Sequence, residues 1–310
     1  MDGKIVILGA GHVGSHVARA LAAGGVGCEI VLVDCVPGKA AAQAMDVADA
    51  LTWPPLPALV RAGEYADCAD ADVTVVAIGK PRKPGQTRLD LLGDSSRMAH
   101  ELCGTLKPVG LGGLVVSITN PCDIIADLIR RELGLDRGRV FGTGTLLDTA
   151  RLVRVLSEQT GARREEINAY VLGEHGDSSM IPFSSVRVAG RPPEAVPGFD
   201  AEAALARTHG IGMDIIDGKG STEFGIGQAA AFLIRNILED TGHVLPLSAE
   251  LRGAYGLSGI HAGVPCVIGR SGIERVVELP LTAAEKAALY RSADVIKKHI
   301  LLADEIIRGM

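Results

Sequence analysis

A run of three glycines constrains this chain more than any other feature. Gly9-Ala10-Gly11-His12-Val13-Gly14 follows the apolar run Lys4-Ile5-Val6-Ile7-Leu8 and opens a stretch, Val13 to Ala23, that reads as a helix. Between a strand and a helix, a first glycine permits the tight turn. A second lets a ligand reach the backbone, and a third lets the helix pack closely. Asp34 closes the next apolar run, Ile30 to Val33, twenty residues after Gly14. A helix amino terminus with free N–H groups suits phosphates, and a carboxylate at that distance suits a ribose diol while repelling a 2′-phosphate. The pattern points to NAD rather than NADP, with Gly9, Gly11, His12, Val13, Gly14 and Asp34 as cofactor contacts.

The surrounding sequence supports this frame. Apolar runs recur at Val73 to Ile78, Leu114 to Ile118 and Val140 to Phe141, with helix-like stretches at Lys39 to Leu51, Ser95 to Leu106 and Ile124 to Glu132. The runs are continuously hydrophobic rather than alternating, as expected of strands covered on both faces. The fold class is α/β: a doubly wound parallel sheet of Rossmann type over residues 1–143, followed by a mixed α+β substrate domain over 144–310. In the second half, Leu146 to Thr160, Ala201 to Asp217, Phe224 to Leu238 and Ala283 to Ile307 read as helices. Ala169 to Leu172, Ser184 to Val188 and Val264 to Ile268 read as strands.

Charge and composition exclude several classes. A net charge of −6 provides no basic field for nucleic acid. No apolar run approaches the roughly 20 residues needed to cross a bilayer, and the first strand begins too early for a signal peptide to precede it. Cys28, Cys35, Cys68, Cys103, Cys122 and Cys266 include no Cys-x-x-Cys pair and are expected to be free buried thiols of a cytoplasmic protein. The eight histidines show no metal spacing, so no metal is expected.

Three further segments carry chemistry. Gly79 to Leu92 begins at the carboxyl end of a predicted strand and contains Lys80, Arg82, Lys83 and Arg88. It reads as a lid hinged at Gly79, Gly85 and Gly93 that closes over an anion. Asn120, in Ser117-Ile118-Thr119-Asn120-Pro121, stands at the edge of the expected crevice. Asp148-Thr149-Ala150-Arg151 and Gly173-Glu174-His175-Gly176 supply an acid, a carboxylate-binding cation and a proton carrier.

Together, in this order and over most of the chain, these segments and Gly218-Lys219-Gly220-Ser221-Thr222 resemble the L-lactate/malate dehydrogenase superfamily. The resemblance implies NAD-dependent hydride transfer between an L-2-hydroxy acid and its 2-oxo acid. It implies His175 as proton donor and acceptor, oriented by Asp148, with Arg88 polarising the C2 carbonyl from the lid. Arg151 would grip the C1 carboxylate, Asn120 and Gly79 would contact substrate and cofactor, and Thr222 would line the substrate wall. Family members form dimers or tetramers, so a homodimer or homotetramer is expected.

The residue six before the lid arginine resembles glutamine in lactate enzymes and arginine in malate enzymes; here it is Arg82. An arginine enclosed with pyruvate would lack a partner, at roughly 3–5 kcal/mol if fully buried, so malate/oxaloacetate is the first expectation. Gln86 and the Ser221-Thr222-Glu223-Phe224-Gly225-Ile226 wall lean toward lactate/pyruvate or a broad 2-hydroxy acid, which is the alternative. A non-catalytic NAD sensor is remote, because no catalytic position is damaged. Val153 and Asn168 stand where lactate dehydrogenases activated by fructose 1,6-bisphosphate resemble one another in having arginine and histidine. The bisphosphate should therefore leave KM for the 2-oxo acid unchanged; a clear fall in KM on adding it would refute this.

Overall fold

A computed structural model describes residues 3–25, 27–53, 56–79 and 88–310. Strands β1 (Lys4–Leu8), β2 (Glu29–Val33), β3 (Leu59–Ala62), β4 (Val73–Val76), β5 (Leu114–Ser117) and β6 (Val140–Gly142) pair in parallel in the order β3-β2-β1-β4-β5-β6. Helices α1 (His12–Ala23), α2 (Lys39–Asp49), α3 (Arg88–Leu106) and α4 (Cys122–Leu133) connect them. The continuous apolar runs are explained by burial on both faces. Ile5, Ile7, Ile30 and Leu32 enter one core, while Val6, Leu8, Val31 and Val33 enter the core on the opposite face. The strand order reverses between β1 and β4, and open α/β sheets leave a crevice beyond the carboxyl ends of such strands.

The second half comprises α5 (Leu146–Thr160), β7 (Ile167–Asn168), β8 (Arg187–Val188), α6 (Ala201–Lys219), α7 (Phe224–Leu238), β9 (Val244–Arg252), β10 (Ser258–Gly269), β11 (Gly272–Val276) and α8 (Ala283–Arg308). It extends the same sheet and carries one small antiparallel pair of its own, β7 with β8. Strand β9 lies antiparallel to β6 through Gly142 and Ser248, so β9, β10 and β11 extend the parallel sheet to nine strands. Helix α8 starts at a reciprocal cap, with Thr282 accepting from the Glu285 N–H and Glu285 accepting from the Thr282 N–H. Among the described residues, no helix is long and apolar enough to cross a membrane.

Several expectations need correction. Ala169 to Leu172 is not a strand: only Leu172 and Gly173 make isolated bridges, and strand pairing lies earlier, at Ile167–Asn168. Hydroxyls of α5 and its cap take the backbone bonds that a neighbouring strand would supply. Thr149 Oγ1 accepts from the Val171 N–H at 2.9 Å, and Thr145 Oγ1 donates to the Val171 carbonyl. Ser184 to Val188 begins as a 3-10 turn at Phe183–Ser185, leaving Arg187–Val188 as strand. Gly93 cannot hinge a lid, because α3 already begins at Arg88 and Leu92 is buried with Ile124 and Ala303. Five cysteines are buried thiols outside any disulfide, as expected, but Cys35 is exposed just beyond the end of β2.

Candidate functional site

The turn from β1 to α1 shows why glycine is needed at Gly9 and Gly14. Gly9 adopts φ +104°, and a Cβ there would lie 2.5 Å from the Ala77 carbonyl oxygen beyond β4. A Cβ on Gly14 would lie 1.9 Å from the Gly9 carbonyl oxygen, so Gly14 closes the turn as much as it packs against the strand. Gly11 is different: among the described residues, a Cβ there meets nothing within 4 Å. It is the N-cap of α1 and makes no side-chain cap, so the helix presents its amino terminus to a space that no described residue fills. That opening fits a pyrophosphate. His12 is exposed and Val13 half-buried at the same helix start.

Asp34 ties the ends of β1 and β2 together. Its carboxylate accepts from the Ala10 N–H at 2.8 Å and from the Val36 N–H at 2.9 Å, with Lys39 Nζ at 3.2 Å. Burial opposes the charge, but the Val36 N–H, the Lys39 ammonium and the Ala10 N–H outweigh it and hold the carboxyl below its usual range. An ionised carboxylate beside the glycine turn fits a ribose diol. Lys39, which the sequence reading did not single out, shares that carboxylate. Gly79 is exposed three residues beyond β4, on the same side of the sheet.

At the junction of the two halves, α5 and the loop after β7 bring His175, Asp148 and Arg151 together. Asp148 lies in the first turn of α5, and Arg151 is one turn later on the same face. His175 Nδ1 lies 2.5 Å from Asp148 Oδ2, and Arg151 Nη1 donates to Asp148 Oδ1 at 3.1 Å. Burial opposes the Asp148 charge, but the imidazolium and Arg151 hold its carboxyl below the usual range. The Asp148 charge lifts His175 to about 9, against burial. The bond also assigns the imidazole: Nδ1 carries a proton toward Asp148, and Nε2 is left as the exchanging atom. Helix α6 passes close to the guanidinium, since a Cβ on Gly212 would sit 3.5 Å from Arg151 Nη1.

The remaining expected residues divide into two groups. Asn120 is exposed at the carboxyl end of β5, joined by a cis peptide to Pro121 before α4. Thr222 is half-buried in the link from α6 to α7, beside Glu223, which Lys219 and Ser221 hold. Arg82 lies outside the described residues, as do Lys80, Lys83, Gly85 and Gln86. Arg88 is the first residue of α3, and the expectation for its side chain also lies outside what is described.

Sequence reasoning missed Asp123, Ser248 and Gly212. Asp123 is 1% exposed and accepts from the His175 N–H at 2.8 Å and from Ser248 Oγ at 2.5 Å. The one available signal was an acid in the first turn of α4, three residues after Asn120.

Residues 3–142 match the lactate/malate dehydrogenase NAD binding domain, and residues 145–306 match the lactate/malate dehydrogenase alpha/beta C-terminal domain. The L-lactate dehydrogenase of Fusobacterium nucleatum is 40% identical over 305 residues, covering 96% of either chain. The minor L-lactate dehydrogenase of Enterococcus mundtii superposes with a TM-score of 0.91 at 33% identity, over 96% of this chain and 97% of the other. The malate dehydrogenase of Picrophilus torridus superposes with a TM-score of 0.93 at 29% identity, over 99% of both. The chain therefore belongs to the lactate/malate dehydrogenase family and is an NAD-dependent 2-hydroxy acid dehydrogenase.

Proposed function

We propose that the chain interconverts L-lactate and pyruvate, with His175 as the proton carrier. Residues 1–143 hold the cofactor and 144–310 grip the acid, in a homodimer or homotetramer. One observation carries the chemistry: His175, Asp148 and Arg151 share one carboxylate in one hydrogen-bonded group. The glycine turn and Asp34 hold the dinucleotide, and bound NADH supplies the hydride for C2 of the 2-oxo acid. Arg151 pairs the substrate carboxylate through its fork, geometry a lysine cannot reproduce. Arg88 at the start of α3 polarises the C2 carbonyl, and Asn120, Gly79 and Thr222 bound the site. Protonated His175 gives the Nε2 proton to the forming alkoxide. In the reverse direction, neutral His175 takes it from the hydroxyl. Asp148 favours the charged ring, so reduction falls and oxidation rises as pH increases through about 9 in the free enzyme.

Support for pyruvate over oxaloacetate comes from near-full-length relatives named L-lactate dehydrogenase at up to 40% identity. The malate expectation loses first place on that ground. It stays the second reading because Arg82 stands six residues before Arg88 and a malate dehydrogenase superposes equally well. The deciding measurement is kcat/KM for pyruvate and oxaloacetate with NADH, in wild type and Arg82→Gln. We expect pyruvate to lead in the wild type. Oxaloacetate ahead by about a hundredfold or more, with the lead collapsing in the variant, would transfer the assignment to malate.

A further inference from the structure

We infer that Asp123 is a positioning residue for this reaction: its carboxylate, anchored by Ser248, clamps the backbone N–H of His175 and adds a second negative charge beside the catalytic ring. The inference rests on His175 as the proton carrier. Three elements meet at this carboxylate. Asp123 belongs to the first turn of α4, Ser248 to β9, and His175 to the loop after β7. Ser248 is itself fully buried and paired across the sheet with Gly142, at the end of the last parallel strand. The anchor therefore belongs to the rigid part of the fold, whereas His175 lies on a loop between two glycines.

Asp123 also lies three residues beyond Asn120, on the far side of Pro121. The segment that carries the expected substrate amide thus also fixes the height of the histidine. Burying a carboxylate beside another acid is expensive unless its charge is used. Burial lifts Asp123 to about 6, with Glu174 adding to the rise, while Ser248, the His175 N–H and the His175 charge oppose it. The titratable groups around it are His175 and Glu174 from the loop and the Cys122 thiol on α4, while Asp148 of α5 is bonded to the His175 ring. Burial pushes that thiol up to about 12, so it stays neutral. In the other direction, Asp123 raises His175, adding to the effect of Asp148.

The test compares Asp123→Asn, Ser248→Ala and His175→Asn with wild type. It reads the ring titration of His175 by NMR on histidine-labelled protein, NADH affinity by fluorescence, and the pH profile of kcat. For Asp123→Asn we expect wild-type NADH affinity, a fall in kcat of about tenfold or more, and a His175 midpoint lower by about half a unit or more. Ser248→Ala should shift both in the same direction by less, and it carries the test if Asp123→Asn does not fold. An unmoved His175 midpoint and unchanged kcat in a folded variant would overturn the inference. Substantial kcat retained by His175→Asn would instead overturn the proton-carrier reading on which it rests.

Discussion

His175→Asn lowers kcat for 2-oxo acid reduction by about 10²–10⁴-fold while NADH binds as in wild type. The asparagine amide can still donate to Asp148, so the buried carboxylate keeps a partner and the site need not collapse. It cannot deliver a proton at neutral pH, so only the chemical step suffers. The same variant isolates a stability effect with a definite sign. Folding raises His175 from 6.5 to about 9, so its contribution is present in full below pH 6.5 and is lost as pH rises through about 9. Wild type should therefore lead His175→Asn in Tm at pH 6, and that lead should shrink by pH 9.5. Calorimetry at the two pH values checks it. A gap that widens with pH would mean that the imidazole is buried neutral, and the Asp148 pairing would be misread.

How much of this was legible in the residues follows physical lines. The parallel half was readable because its strands are covered on both faces, which leaves continuous apolar runs such as Ile5 to Leu8. Strand β3 was missed because it is the sheet edge: Leu59 is exposed, and the rest of the strand is half-buried. Strand β9 was missed for a different reason. Pro246 stands opposite Pro265 across the ladder, and Ser248 interrupts the apolar pattern, though it is buried to serve Asp123. His175, Asp148 and Arg151 were found because their chemistry is written in side chains. Asp123 was not, because it meets the site through the His175 backbone N–H, which leaves no trace in residue type, and its side-chain partner Ser248 lies 125 residues away. The substrate preference is hardest for a related reason. Arg82 acts only through where it sits relative to the acid, and residue identity at one position does not fix that placement.

Arg151→Lys should lower kcat/KM for the 2-oxo acid by roughly 30- to 900-fold, mostly through KM, the equivalent of about 2–4 kcal/mol. The guanidinium is 12% exposed, and one of its nitrogens is already committed to Asp148 Oδ1 at 3.1 Å. The remaining edge can meet a carboxylate with parallel N–H bonds, and α6 at Gly212 leaves little room for it to swing aside. Lysine keeps the charge beside Asp148 but presents one ammonium, which cannot hold Asp148 and grip both substrate oxygens in a plane. The pH midpoint of reduction should then move little, because the charge that opposes His175 protonation is conserved. Steady-state kinetics across pH separates the two effects. A large fall in KM-linked affinity at constant midpoint supports carboxylate recognition by the fork. A shifted midpoint with KM unchanged would mean that Arg151 acts on Asp148 and His175 rather than on substrate. The substrate carboxylate would then need another partner, and the cations between Gly79 and Arg88 would be the first to test.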